Sequence, residues 1–174
     1  MKLTSFKARN VFQHELFEHK LEGNLIGIVG PNGSGKSNLL KAIQFTLTGE
    51  VPDKRKEQLL NWGAADGGEG IVELVHDGVA GKITRSVSGG KTAFKYGAAV
   101  DLTGITNVNA AVADQLGLDR DIARTVFVPQ AELDSILFDQ ASKRELAFQR
   151  MCGIGDAAKL HKALGQIVTQ KFPP

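Results

Sequence analysis

From Asn24 to Gly49 the chain reads NLIGIVGPNGSGKSNLLKAIQFTLTG, and this stretch constrains the fold more than any other. Leu25, Ile26, Ile28 and Val29 form an apolar run of strand length, the pattern of a strand covered on both faces. The run stops at Gly30. The segment Gly30-Pro31-Asn32-Gly33-Ser34-Gly35-Lys36-Ser37 then fits G-x-x-x-x-G-K-[ST] at every fixed position. Leu39, Leu40, Ile43 and Leu47 follow at helical spacing, and Gly49 is placed as a C-terminal stop. Strand, loop and helix together make a cradle for phosphate. Glycines let successive backbone N–H groups turn inward, and the helix N-terminus adds its positive dipole end. Lys36 is then aimed at the β- and γ-phosphates of a nucleotide, and the Ser37 hydroxyl at Mg²⁺. The alternative is a glycine-rich turn with no ligand. The strand pattern before and the helix pattern after favour the phosphate loop.

Composition narrows the setting. A chain of 174 residues has room for one domain with a real core and not for two large ones. With 42% hydrophobic and 23% charged residues it reads as globular rather than disordered. The net charge of +2 does not single out nucleic acid as a partner; only a local patch would. Cys152 is the one cysteine, which excludes an internal disulfide and a paired-cysteine zinc site. The first residues, MKLTSFKARN, lack an apolar signal core, and no run approaches spanning length. These features predict a reducing, cytoplasmic setting without a membrane.

Along the chain, Leu3–Asn10 and Glu15–Leu21 read as two strands joined around Val11-Phe12-Gln13-His14. A basic turn, Pro52 to Lys56, leads into a short helical Glu57–Asn61, and Trp62–Gly70 reads as loop. Ile71–Val75, Lys82–Val87 and Thr92–Tyr96 are predicted strands, with turns at Asp77-Gly78 and Gly89-Gly90. After Thr106 the period becomes helical through Val108, Ala111, Val112 and Leu116, ending at Gly117. Val126-Phe127-Val128 reads as a short buried strand closed by Pro129-Gln130. Ser142 and Glu145 form a capping box for a helix that ends near Gly153. From about Asp156, Ala157, Leu160, Leu164 and Ile167 step by three and four, the stripe of a coiled coil or of an ordinary amphipathic helix.

VGPNGSGKSNLLKAI, ITRSV, VFVPQAELDSILF and SKRELAFQRMCGIG, in that order, resemble the N-terminal lobe of the ABC-type ATPase head of DNA-repair and chromosome-maintenance proteins. The SbcC-type ATPase of double-strand-break repair is the nearer resemblance, and SMC proteins come second. The resemblance implies an α/β P-loop NTPase fold, with a mixed core sheet and a flanking antiparallel sheet. It implies a lobe over residues 1–155 and the start of a coiled-coil helix over 156–174. It further implies ATP and Mg²⁺ as cofactors. The implied partners are the chain's own C-terminal lobe, a second head in a homodimer, an SbcD-type nuclease, and DNA. The SMC alternative replaces the nuclease with a kleisin and makes the protein a structural clamp. A stand-alone nucleotide kinase would need an arginine-rich lid, which the sequence does not contain.

By the same resemblance Gln130 is the Q-loop residue that ligates Mg²⁺ and helps place the attacking water. Lys36 and Gln130 form the catalytic pair, and Ser37 and Gln130 the metal ligands. Nucleotide contacts fall to Asn32, Gly33, Ser34, Gly35, Lys36, Ser37, Asn38 and Phe12, with Ala64, Ala65 and Asp66 of the glycine-rich loop. Phe12 stands where the family has an arginine, and is expected to lie near the adenine base. Pro129 precedes Gln130 where the family does not usually have proline; it fixes φ and removes an N–H. The signature motif, the Walker B carboxylates and the switch histidine belong to the family's second lobe. Consistent with that, the chain has no Asp-Glu pair.

Two sequences mimic that second lobe. Val87-Ser88-Gly89-Gly90-Lys91 resembles the signature motif but precedes Gln130 and reads more simply as a hairpin turn. Ala110–Gln115 mimics a Walker B strand but has helical period. None of the four histidines, His14, His19, His76 and His161, has metal-type spacing. Lys82, Arg85, Lys91 and Lys95 sit on adjacent predicted strands and their turn, as a face for DNA phosphates or a merely solvated one. Arg55, within Lys54-Arg55-Lys56, is either a nucleotide contact in cis or an exposed charge.

Overall fold

The structure, a computed structural model, describes residues 1–118 apart from 52–54, 65–66 and 89, together with 126–128 and 141. The chain divides into two compact units, residues 1–119 and 120–174. In the first unit, β1 (Lys2–Val11), β2 (His14–Lys20), β3 (Glu69–His76), β4 (Val79–Ser86), β5 (Ala93–Tyr96) and β6 (Val100–Thr103) form one sheet in the order β2-β1-β3-β4-β5-β6. Every pairing in it is antiparallel. Helix α1 (Lys36–Thr48) lies on β3 and β4, and α2 (Ile105–Leu116) on β5 and β6. A 3₁₀ turn, Lys56–Leu59, stands where a short helix is predicted from Glu57.

Alternation along the strands builds the core. The register aligns Phe6 with Val72, Val72 with Ile83 and Ile83 with Phe94, and all four are fully buried. Each such side chain is worth about 1.5–3 kcal/mol when taken out of water. The next row is Ala8, Gly70 and Arg85. Gly70 is small for a reason. A Cβ on Gly70 would run into the side chain of Thr46 of α1, so glycine lets the helix settle onto β3. Thr46 is itself fully buried, and its hydroxyl donates back to the Ala42 carbonyl at 2.8 Å. Leu39, Ile43, Phe45 and Leu47 complete the buried face of α1, while Leu40 is exposed. Val108, Val112 and Leu116 are the buried stripe of α2.

The α/β class holds, and the two amino-terminal strands, the Asp77-Gly78 hairpin and both helices lie where the sequence puts them. Ala110–Gln115 is helix, as its period requires. Three expectations are corrected. Leu25–Val29 is not a strand among the described residues: it pairs with nothing, and Leu25 and Val29 are 94% and 95% exposed. The parallel part of a mixed core sheet is therefore not found among the described residues. A strand covered on both faces needs neighbours, and nothing among the described residues supplies them. Val126–Val128 is not a buried strand either; Val126 is helical rather than extended and is exposed. β6 is an addition: VDLT follows a turn at Gly97 and is too short and polar to stand out in sequence.

Candidate functional site

The loop from Gly30 to Gly35 is open to solvent, and α1 begins at Lys36. Gly33 and Gly35 take φ of 82° and 90°, which turns the chain sharply into the helix. The Ser34 N–H donates to the Pro31 carbonyl at 3.2 Å, and the Leu39 N–H to the Gly35 carbonyl at 2.8 Å. The first-turn N–H groups ahead of Leu39 are therefore at the mouth of the loop, where an anion is favoured. Lys36 Nζ donates to the carbonyls of Gly30 and Pro31, both at 2.8 Å. The ammonium thus spans the loop from its last residues to its first. The Ser37 hydroxyl is on the exposed side of the first turn. It is the one predicted Mg²⁺ ligand among the described residues, since Gln130 lies outside them. No group of three or more His, Cys, Asp or Glu among the described residues is arranged to hold a metal.

Beside the loop the β1–β2 hairpin comes close. Its tip is Phe12-Gln13, with Val11 paired to His14. Asn38 Nδ2 donates to Gln13 Oε1 at 2.8 Å. A cavity of about 510 Å³ opens next to this contact, lined by Phe12, Gln13, Asn38, Gln58, Asn61 and Trp62 among others. Its far wall is tied to the hairpin by backbone: Phe12 N–H to Leu59 C=O at 2.6 Å and Asn61 N–H to Asn10 C=O at 3.1 Å. Trp62 is 98% exposed on that wall. Ala64 follows, half-buried, its N–H on the Asn61 carbonyl at 3.2 Å. Ala65 and Asp66 lie outside the described residues. The structure therefore gathers Asn32–Asn38 in one loop and first turn, with Phe12 at the neighbouring cavity. Gln13 and Trp62 were not among the predicted contacts. Their signal was weak: a glutamine in a turn and one tryptophan in a glycine-rich loop.

Arg85 is corrected most sharply. It does not face solvent for DNA; it is 2% exposed and points into the core. Its Nε donates to the Thr46 carbonyl at 2.8 Å, Nη2 to the Leu47 carbonyl at 3.2 Å and Nη1 to Asn109 Oδ1 at 2.7 Å. Burial pushes its pKa down to about 10, so the side chain stays charged at neutral pH. The carbonyls it holds belong to the last turn of α1, the negative end of the helix dipole. Lys82 and Lys95 do face outward but are paired, with Glu73 at 3.1 Å and Asp101 at 2.8 Å. Hydrogen bonds from Lys82 and then Ser5 hold the Glu73 carboxyl below its usual range. Lys91 is exposed beside the turn, but with Arg85 buried and Lys82 and Lys95 paired the four cations do not form one free patch. Arg55 is exposed at the start of the 3₁₀ turn, and Lys54 lies outside the described residues.

A protein-family model described as an AAA domain matches residues 5–171. The chain belongs to that AAA domain family. Among curated relatives, a DNA double-strand break repair Rad50 ATPase of Methanocaldococcus jannaschii is 29% identical over 98% of this chain and 17% of its own length. The SbcC component of the nuclease SbcCD of Clostridium acetobutylicum is 27% identical over 83% of this chain and 14% of its own length. The chain thus spans about a sixth of the length of these relatives. A solved structure from work on ATP-driven dimerization and DNA-stimulated activation of SMC ATPases superposes with a TM-score of 0.61. It is 17% identical and covers 87% of this chain and 99% of that one, a likeness of fold. The resemblance to the N-terminal lobe of SbcC-type repair ATPases stands on these matches.

Proposed function

We propose that this chain is the N-terminal lobe of the ATP-binding head of a DNA double-strand-break repair ATPase. One observation carries the reading. The phosphate loop is intact, with Lys36 spanning it at the start of α1, inside a chain matched along nearly its whole length by a Rad50 ATPase. In this reading the triphosphate displaces the Gly30 and Pro31 carbonyls from Lys36 and lies against the first-turn N–H groups. Ser37 would hold Mg²⁺, Gln130 would be its second protein ligand, and Gln130 would also orient the attacking water. Bound there, Mg²⁺ would supply charge neutralisation for the phosphates. Phe12, Ala64, Ala65 and Asp66 contact the base side of the nucleotide, and Asn32–Asn38 its phosphates.

The domain division we adopt is a lobe over residues 1–155 and a coiled-coil helix starting at 156. The exposed apolar run at Leu25–Val29 supports a C-terminal lobe that brings the missing neighbouring strands. ATP would then join two such heads and gate an SbcD-type nuclease acting on DNA, in the cytoplasm or nucleus. The fold likeness to SMC ATPases favours a second reading, a DNA clamp without a nuclease. The experiment is sizing of the full-length protein with and without MgATP, followed by a nuclease assay with the SbcD-type partner. ATP-dependent dimers that switch nuclease activity support the first reading. Dimers without any nuclease partner support the second, and no ATP-dependent dimer refutes both.

A further inference from the structure

A two-residue hairpin tip asks for positive φ at its first position, which glycine adopts freely. Here Phe12 adopts it, at φ 53°, an unusual conformation for a bulky residue. Such conformations gather at functional sites. At this tip the next side chain, Gln13, is carried across to α1. Its Oε1 accepts from Asn38 Nδ2 at 2.8 Å, which fixes the orientation of the amide. Its Nε2 fills the place that a Cβ would take on Gly35. His14 Nε2 lies 3.2 Å from that same point and is a buried nitrogen with no hydrogen-bond partner among the described residues. Two side-chain nitrogens from the hairpin therefore converge on the last glycine of the loop, one residue before Lys36. Gln13 also lines the cavity with Phe12 and Trp62, so it stands where loop and cavity meet.

We propose that Gln13 is a nucleotide-contacting residue. With Oε1 held by Asn38, Nε2 donates to a phosphate oxygen of a nucleoside triphosphate seated in the loop. This rests on the phosphate-loop reading above. A carboxamide adds direction without adding charge, and Lys36 already supplies the charge. The competing role is a latch that only ties the hairpin to α1 through Asn38.

Gln13→Glu separates the two. It keeps an oxygen for Asn38 Nδ2, so a pure latch survives. It replaces the donor with an anionic acceptor facing the phosphates. The test is calorimetric titration of the full-length protein, with its C-terminal lobe, with MgATP, for the parent, Gln13→Glu, Gln13→Leu and Lys36→Ala, with melting of each ligand-free protein. The expected result is a loss of more than about tenfold in affinity for Gln13→Glu, a smaller loss for Gln13→Leu, and ligand-free melting of Gln13→Glu close to the parent's. Parent-like affinity in Gln13→Glu overturns the proposal, as does a larger loss in Gln13→Leu than in Gln13→Glu. If Gln13→Glu does not fold, parent-like affinity in Gln13→Leu overturns it. Undiminished binding by Lys36→Ala is a separate failure, that of the phosphate-loop reading itself.

Discussion

The Arg85 side chain donates from Nε to the Thr46 carbonyl at 2.8 Å, tying the middle of the sheet to the far end of the phosphate-loop helix. Helix α1 has 13 residues and so spans about 20 Å. Lys36 is at one end and the carbonyls held by Arg85 are at the other. A buried guanidinium held by carbonyls and an asparagine is supported by its hydrogen bonds and the helix dipole. Arg85→Ala is expected to cost about 2–4 kcal/mol of unfolding free energy, because it leaves two backbone carbonyls and Asn109 without their donor. Arg85→Lys should recover less than half, since an ammonium cannot reproduce the three-pronged fork. Urea unfolding measures both. A lysine variant as stable as the parent would show that charge alone, not the fork, is what the site uses.

Lys36→Ala should weaken MgATP binding by at least about a hundredfold, since it removes the one side-chain charge aimed at the β- and γ-phosphates. Stability should change little, because the two carbonyls it releases, Gly30 and Pro31, are exposed to water. Calorimetry and melting, run together, check the pair of expectations. Equal ATP affinity in mutant and parent refutes the phosphate loop.

Gln130→Ala should leave nucleotide binding nearly intact while slowing hydrolysis in the assembled head. The role proposed for it is to ligate Mg²⁺ and place water, not to hold the triphosphate. Steady-state phosphate release by the full-length protein is the measurement. Normal turnover would remove Gln130 from the metal site.

Glu73 gives a pH signature on the outer face of the sheet. Its folded pKa lies below the unfolded value because Lys82 and Ser5 donate to it. A depressed carboxyl contributes stability above its unfolded pKa and loses it as pH falls through the folded one. Glu73→Gln should therefore lower stability at pH 7 by less than about 1 kcal/mol, since the pair is half exposed. The difference should vanish under acid conditions, below the folded pKa, and shrink in high salt. Urea unfolding at acidic and neutral pH decides it. A difference that persists in acid would assign the effect to packing instead.

How much of this was legible in the sequence depended on whether the deciding contact was local. Helix α1 was legible because its stripe and its stop at Gly49 are encoded within the helix itself. The hairpin at Asp77-Gly78 was legible for the same reason, through turn chemistry. Leu25–Val29 was not, since an apolar run states that a strand is to be covered but not by what. Arg85 was misread as a surface cation beside Lys82, although strand parity already put the two on opposite faces: Gly81, Ile83 and Arg85 face the core. Gln13 was invisible because its meaning lies in Gly35 and Asn38, more than twenty residues away. The proposed roles of Ala65, Asp66 and Gln130, and the capping box at Ser142 and Glu145, lie outside the described residues.

The apolar run gives the last prediction. Leu25 and Val29 are almost wholly exposed, and Ile26 and Ile28 partly so, immediately before the phosphate loop. An unpaired apolar segment in that position leaves the loop's N-terminal anchor without a sheet to hold it. Phosphoryl transfer is mostly positioning and charge stabilisation, so a loosely anchored loop is a poor catalyst even with Lys36 and Ser37 in place. The chain alone should therefore bind MgATP weakly and not turn it over. Adding the proposed C-terminal lobe should pair the run on both edges, tighten nucleotide binding and restore hydrolysis. Hydrogen exchange reads the first effect directly: amides of residues 25–29 should exchange quickly in the isolated chain and become protected when the second lobe is added. Phosphate release reads the second. Amides protected in the isolated chain, or robust turnover without the second lobe that Lys36→Ala abolishes, would mean that residues 1–174 already complete both the sheet and the catalytic site.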